Sequence, residues 1–137
     1  MKSKASRSSA IVWAGHIVSG LTVILLLLDA FGKITQVAPV VQGTARLGYP
    51  THLVSVIGFV ELLCVVTYLI PRSSIVGAVL LTGYLGGAVA THVRIEDPLW
   101  THALAPIYMA VAVWGGLLMR EDRLRQLIPV RRRPVVA

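Results

Sequence analysis

Residues 51–92 read THLVSVIGFVELLCVVTYLIPRSSIVGAVLLTGYLGGAVATH, and this stretch decides the fold. It contains two apolar runs, at about 51–70 and 74–92, separated by a short turn that begins at Pro71. A helix that crosses the ~30 Å hydrocarbon layer of a bilayer needs ~20 apolar residues. Each run has about that length, and neither alternates in the way that a membrane-spanning strand does. The stretch therefore predicts two antiparallel transmembrane helices joined by a tight turn.

Two further apolar runs flank this hairpin, at about 10–31 and 102–119. Of the 137 residues, 55% are hydrophobic and 14% are charged, whereas a soluble domain carries about 25% charged residues. This composition excludes a soluble globular enzyme and a disordered chain. The single cysteine, Cys64, excludes a disulfide scaffold and a paired-cysteine redox centre. The sequence predicts an all-α membrane protein whose residues 10–119 form one antiparallel bundle of four transmembrane helices.

The positions of the basic residues predict how the bundle is oriented. Ten of the 13 Lys and Arg lie in the tail 1–9, at Arg72 in the hairpin turn, or in the tail 120–137. Cytoplasmic flanks of membrane proteins collect Lys and Arg. Both basic tails are therefore predicted to be cytoplasmic, and the net charge of +7 reflects this topology rather than nucleic-acid binding. The first apolar run is longer than that of a signal peptide, so it is expected to be a retained helix.

The longest connection, the loop 32–50, is predicted to lie outside the cytoplasm. It is not uniformly polar, because Val37, Val40 and Val41 occur within it. Pro39 suits the first turn of a helix, and Gly48 suits the position just beyond the end of one. A short helix lying on the outer membrane face is therefore expected in this loop.

Each apolar run carries a stripe of small or polar residues, which should face the other helices because the lipid-facing side is apolar. Ser19, Thr22, Glu61, Tyr84 and Tyr108 are accordingly predicted to point into the bundle. The depths of the polar residues along the four helices place one group of them in the outer half, beneath the loop. These candidate ligand-binding residues are Asp29, Lys33, Glu61, Tyr84, Thr91, His92, His102 and Tyr108.

Glu61 is the most informative of these residues, because a charged side chain at mid-bilayer costs roughly 2.5–3.5 kcal/mol on insertion scales. Two interpretations stay open: a contact to a ligand or a proton, and an interhelical hydrogen bond that fixes the bundle. Low dielectric favours the neutral carboxyl unless a cation is near. Lys33 lies further outward along its helix and is not assigned as that cation. It is expected to pair with Asp29, four residues earlier on the same helix.

Two other patterns in the sequence bear on metal binding and on helix packing. The histidines His52, His92 and His102 all fall on the predicted outer side, but no two of them are spaced to share one helix face, so no metal site is predicted. Gly83 and Gly87 form a G-x-x-x-G pattern, which permits close approach of helices. We expect these glycines to serve packing within the bundle rather than association of two chains.

Several short motifs carry a family resemblance: Asp29–Lys33, Leu47–Pro50, Glu61–Leu62, Tyr68–Arg72, Leu80–Arg94 and Asp97–Pro98. Over roughly Trp13 to Pro129 they resemble the DoxX-like family of small bacterial integral membrane proteins. The resemblance implies a four-helix membrane bundle in the cytoplasmic (inner) membrane of a bacterium. It offers two functional precedents, a subunit of an archaeal thiosulfate:quinone oxidoreductase and a vertebrate assembly chaperone for acetylcholine receptors.

These precedents define two hypotheses. In the first, the outer polar pocket binds a hydrophobic small molecule, namely a quinone, an isoprenoid or a lipid, with a link to redox metabolism. In the second, the chain is a non-enzymatic assembly factor or accessory subunit of another membrane protein. No catalytic residue and no firm cofactor is assigned, and the chain is not expected to be an enzyme on its own. Its expected partners are the lipid bilayer and either another membrane protein or a second copy of itself.

Overall fold

The computed structural model describes residues 8–127, and every regular element in that range is helical. Four helices are long and apolar enough to cross a membrane, which confirms the predicted all-α bundle of a multi-pass membrane protein. The helices are α1 (Ser9–Ile34), α2 (Ala38–Arg46), α3 (Val54–Leu69), α4 (Ser74–Arg94), α5 (Ala105–Arg120) and α6 (Asp122–Leu127). A 3₁₀ turn, Thr51–Leu53, precedes α3, and a π-helical turn, Leu99–Ala103, precedes α5. Most of both predicted basic tails lies outside the described residues.

The four long helices pack in the order α1, α3, α4, α5 around the bundle, and α5 closes the ring against α1. At one end, which we call the capped end, α1 and α4 finish, α3 and α5 begin, and α2 lies in the connection between α1 and α3. The opposite end, which we call the termini end, holds the start of α1, the α3–α4 turn and α6. Neighbouring helices therefore run antiparallel, as predicted.

The outer surface of the bundle is covered by large aliphatic side chains. Leu28, Leu63 and Val111 are each about two-thirds exposed. In a bilayer these side chains meet acyl chains, which are as apolar as leucine, so burying them elsewhere gains little. The bundle must instead be stabilised by close packing and by polar contacts between helices.

The half of the bundle near the termini end is solidly packed. Leu81 and Leu117 are fully buried there. The Tyr68 hydroxyl donates to the Val113 carbonyl oxygen at 3.0 Å and lies 3.1 Å from the Ser19 hydroxyl. Tyr68 on α3 is thereby linked to α5 and α1 at once, with its hydrogen-bonding capacity satisfied.

Gly77 lets α3 and α4 meet tightly beside their short turn. A Cβ at this position would lie 2.2 Å from the backbone nitrogen of Tyr68, far inside van der Waals contact. The added Cβ would clash with backbone atoms of Tyr68 and Thr67, which cannot move unless α3 moves with them. The hairpin predicted from residues 51–92 thus depends on the absence of a side chain at this position.

The loop between α1 and α3 contains the predicted short helix, α2. Val40 of α2 packs against α1 at Gly32. The contact is close, because a Cβ on that glycine would lie 3.0 Å from a Val40 methyl group. Beyond α2 the chain turns at Gly48, whose φ of 89° is one that residues with a Cβ rarely adopt. The Arg94 guanidinium donates to the Leu47 carbonyl oxygen at 2.6 Å, which fastens this loop to the end of α4.

The first transmembrane helix is longer than the sequence predicts. It continues to Ile34 rather than ending near Phe31, so Lys33 belongs to α1 and not to the loop. The fourth span begins differently as well, because the π-helical turn takes the place of its predicted first residues. Pro106 lies in the first turn of α5, where its missing N–H leaves no helical hydrogen bond unmade.

The two α4 glycines offer a matched test of packing. Gly77→Ala should lower stability by roughly 1–3 kcal/mol or more, because the new methyl group meets backbone. Gly83→Ala should be neutral, because nothing lies within 4 Å of a Cβ there. Both changes have the same effect on helix propensity, so the difference reports packing alone. The measurement is thermal unfolding of the purified proteins in detergent, and equal melting temperatures would contradict this account of the hairpin.

Candidate functional site

A cavity of about 900 Å³ opens in the half of the bundle near the capped end. Its walls come from α1, α2, α3, α4 and the beginning of α5, and most of them are apolar. The polar side chains along the wall are Asp29, Lys33, Thr44, Arg46, Tyr49, Glu61, Tyr84, Thr91, His92, Asp97, Thr101 and His102. Seven of the eight candidate residues named from the sequence are in this set.

At the centre of this wall, Lys33 of α1 meets Glu61 of α3. The ammonium nitrogen lies 2.8 Å from Glu61 Oε2, and both side chains are largely or fully shielded from solvent. The same nitrogen pairs with Asp29 and donates to the Tyr84 hydroxyl at 3.0 Å. Tyr84 in turn donates to Glu61 Oε2 at 2.9 Å. We refer to these four residues as the charged cluster.

The contact between Lys33 and Glu61 was not assigned from the sequence, because Lys33 lies further outward along its helix. The two side chains meet because helical side chains lean toward the N-terminus of their own helix. α1 begins at the termini end, so Lys33 leans down into the bundle. α3 begins at the capped end, so Glu61 leans up toward Lys33. The expected i,i+4 pair with Asp29 is present beside this contact.

Gly58 brings the two helices close enough for the charged cluster to form. It lies one turn before Glu61, and a Cβ there would be 2.7 Å from the Lys33 Cβ and 2.9 Å from the Ala30 carbonyl oxygen. α1 and α3 therefore touch through their backbones at the level of the lysine. This close approach fixes where the lysine side chain starts and hence which carboxylate it reaches.

One oxygen of Glu61 has no partner among the described residues. Glu61 is fully buried, and its Oε1 makes no hydrogen bond to any described residue. A buried carboxylate oxygen without a donor is costly, because water is lost and nothing replaces it. Glu61 is among the residues that line the cavity, and its Oε1 lies just beneath that wall with almost no accessible surface. A donor from outside the chain would therefore have to reach this oxygen from the cavity.

A second polar group lies nearer to the mouth of the cavity. His92 Nδ1 is 2.7 Å from Asp97 Oδ2, and the rings of His92 and His102 are 6.2 Å apart. Tyr49 and Thr91 join through their hydroxyls at 3.0 Å, which connects the α2–α3 loop to α4. His92, His102 and Thr91 were predicted site residues, whereas Asp97 and Tyr49 were not. Their signal was weak, because both lie in loops where polar residues are common.

Tyr108 was predicted to face the interior of the bundle and to belong to the site. The prediction that it faces the interior is wrong. Its side chain is 55% exposed, and it is not part of the cavity wall. The buried face of α5 is formed by Pro106, Val113, Gly116 and Leu117 instead. The prediction relied on the preference for small and polar residues at helix interfaces. The inward residues of α5 are mostly aliphatic, so this preference pointed to the wrong side of the helix.

Gly83 and Gly87 do not serve the close packing that was expected of them. Nothing lies within 4 Å of a Cβ built at either position. Both glycines line the cavity, so their missing side chains leave open space in the α4 wall. The G-x-x-x-G pattern in this helix therefore widens a cavity rather than joining two helices.

The histidines do not assemble a metal site with their neighbours. Across residues 8–127, no three His, Cys, Asp or Glu side chains come together in a way that could hold a metal ion. The chemistry that the cavity offers is thus an ion pair, a free carboxylate oxygen and a histidine–aspartate pair. This set can bind and orient a polar head group.

Comparison with known proteins identifies the family. The model of the DoxX-like family matches residues 17–116, which include the charged cluster and both histidines of the cavity mouth. The chain therefore belongs to the DoxX-like family. Neither a curated protein nor a solved structure matches the chain.

Removing the lysine tests whether the charged cluster is an ion pair. Lys33→Met should lower stability by roughly 3–5 kcal/mol, because it leaves a buried carboxylate without its cation. Adding Glu61→Gln to that variant should restore much of the loss, since the buried charge is then removed. The measurement is unfolding in detergent followed by circular dichroism. An unchanged stability of Lys33→Met, or a double variant less stable than the single one, would count against the pairing.

Proposed function

We propose that this member of the DoxX-like family binds a hydrophobic small molecule in the cavity at the capped end. The ligand is a quinone, an isoprenoid or a lipid. The observation that carries the proposal is the combination of a roomy, mainly apolar cavity with a charged cluster on one wall. Binding sites for small molecules have this character, with apolar walls and a few convergent polar groups.

The size of the cavity supports this proposal. Its volume of about 900 Å³ lies within the range of roughly 300–1,000 Å³ that ligand pockets occupy. Gly83 and Gly87 keep part of that volume open, where ordinary helix residues would have filled it. Because the surrounding helices are immersed in lipid, an apolar ligand can arrive from the bilayer.

The cost of the charged cluster also supports a role in binding. Ionisable side chains are expensive within membrane-spanning helices and commonly mark functional sites there. A structural role alone is a weak explanation, since well-packed apolar residues often stabilise a protein as well as a buried ion pair does. The charged cluster lies beside open space rather than inside the packed half of the bundle, where it would only join helices.

The proposal is for binding and not for catalysis by this chain alone. A link to redox metabolism would follow if the ligand is a quinone, with the electrons supplied and removed by other proteins. The polar groups of the cavity wall would then position the head group and influence which of its forms is held.

A second candidate function, assembly of another membrane protein or of a second copy of this chain, has its own supporting observation. An apolar groove of about 470 Å³ runs along the outer face between α4 and α5. Gly86, Ala110 and Gly115 line it, and small residues of this kind let a transmembrane helix approach closely. A partner helix that protects this groove from lipid would favour the assembly role.

We further propose that both termini are cytoplasmic in a bacterial inner membrane, which places the cavity in the outer half of the bilayer. Gln42 on α2 and Gln126 on α6 are exposed at opposite ends of the bundle. In a Cys64→Ala background, a membrane-impermeant thiol reagent added to intact cells should label Gln42→Cys and spare Gln126→Cys. Labelling of Gln126→Cys alone would mean that the orientation is inverted.

Filling the cavity tests ligand binding directly. Gly87→Leu and Gly83→Leu should reduce the amount of bound apolar molecule by about tenfold or more, because each leucine occupies space that the ligand needs. Gly20→Leu is the matched control, since Gly20 is exposed on the outer side of α1 and has open space around it. The measurement is native mass spectrometry of protein extracted gently from membranes. An equal load on all three variants and the parent would contradict the proposal.

A further inference from the structure

The hydrogen-bond donors of the charged cluster are all used within the protein. A lysine ammonium has three N–H donors, and those of Lys33 are directed to Asp29, to Glu61 and to the Tyr84 hydroxyl. The single hydroxyl donor of Tyr84 goes to Glu61 Oε2. The charged cluster therefore has no N–H or O–H left to offer to a ligand.

The neighbouring hydroxyl groups on the wall are used in the same way. Thr44 donates to the Val40 carbonyl oxygen at 2.9 Å, and Thr91 donates to the Gly87 carbonyl oxygen at 2.9 Å. Because Thr91 spends its hydrogen there, the Tyr49 hydroxyl must be the donor in its contact with Thr91. Donors that remain available, such as the Arg46 guanidinium and the His102 ring, lie at the exposed mouth.

The charged cluster does, by contrast, contain a hydrogen-bond acceptor that no donor in the described chain uses. Oε1 of the fully buried Glu61 has no hydrogen-bond partner in the described chain. The charged cluster also contains two carboxylates and one ammonium, so its formal charge is negative. A head group that donates a hydrogen bond would satisfy this oxygen. A head group that only accepts would leave it unsatisfied and would place a second lone pair against it.

We propose that the cavity selects amphiphiles whose head group donates a hydrogen bond, a hydroxyl or an ammonium, over amphiphiles whose head group only accepts. This inference rests on the proposed ligand-binding function and narrows the class of ligand. For a quinone couple it means that the reduced quinol is held in preference to the oxidised quinone. Glu61 Oε1 is the atom that receives the donor.

The test compares probes that differ in the head group alone. Decylhydroquinone and decylbenzoquinone share one tail, and the first has two hydroxyl donors where the second has two carbonyl acceptors. Decylammonium, decan-1-ol and decyl methyl ether form a second set. Binding to the parent protein in lipid nanodiscs is measured by calorimetry, with oxygen excluded so that the hydroquinone stays reduced.

The parent should bind decylhydroquinone at least about tenfold more tightly than decylbenzoquinone, because an unsatisfied buried acceptor carries a penalty of this order. The methyl ether should bind least well in the second set. Tighter binding of decan-1-ol than of decylammonium identifies a hydroxyl as the donor, and the reverse identifies an ammonium. Either order supports the proposal, provided that the donor probes lead.

Glu61→Gln should abolish or invert this preference. The amide carbonyl oxygen can accept from Lys33 and Tyr84, which turns the NH₂ group toward the cavity as a donor. Glu121→Gln makes the same change near the termini end and should leave the preference intact. Tyr84→Phe removes the acceptor of one Lys33 N–H and so frees a donor for the ligand. It should weaken the preference and serves as a second variant if Glu61→Gln folds poorly.

The outcomes separate this inference from the proposed function. Equal binding of donor and acceptor probes, with both lost in Gly87→Leu, overturns donor selection but keeps ligand binding; water alone would then satisfy Oε1. Persistence of the donor preference in a folded Glu61→Gln protein would also overturn it. If no probe binds the parent, both the inference and the proposed function fail.

Discussion

The pairing of Lys33 with Glu61 is the contact on which the capped half of the bundle depends. It joins α1 to α3 at 2.8 Å in a protein whose outer surface faces lipid and whose helices gain little from apolar contact with one another. Each charge would be costly alone, and each makes the other tolerable. Gly58, which brings the backbones of α1 and α3 together, and Tyr84, which reaches the pair from α4, are arranged around this contact.

The two halves of the bundle solve the packing problem differently. Near the termini end, Tyr68 and its aliphatic neighbours fill the interior, and Gly77 draws α3 and α4 into backbone contact. Near the capped end, α4 carries glycines that touch nothing, and the space is left open. A tightly packed half therefore adjoins an open half within the same four helices. This division places the charged cluster at the boundary between the packed half and the open half.

Hydropathy and length were enough to predict the number of helices and their antiparallel order, because a bilayer of known thickness sets the length of each span. The short helix in the loop could be predicted from Pro39 and Gly48, which suit the start and the end of a helix. Most of the polar residues of the cavity could be named as well, because polar side chains avoid lipid. The partner of Glu61 could not be predicted from the sequence. The depth of a residue along its helix does not show in which direction a long lysine side chain extends. It also could not distinguish a glycine that touches a neighbour, such as Gly77, from one that faces open space, such as Gly87.

The most direct test of this account is the distance between the Lys33 ammonium and the Glu61 carboxylate in a lipid bilayer. Solid-state NMR with nitrogen-labelled lysine and carbon-labelled glutamate measures it through the dipolar coupling between the two groups. The structure predicts a strong coupling, as a nitrogen–oxygen separation of 2.8 Å requires, and predicts that Glu61→Gln removes that carboxylate signal. A folded protein in which the Lys33 nitrogen shows no coupling to the Glu61 carboxylate would contradict the account.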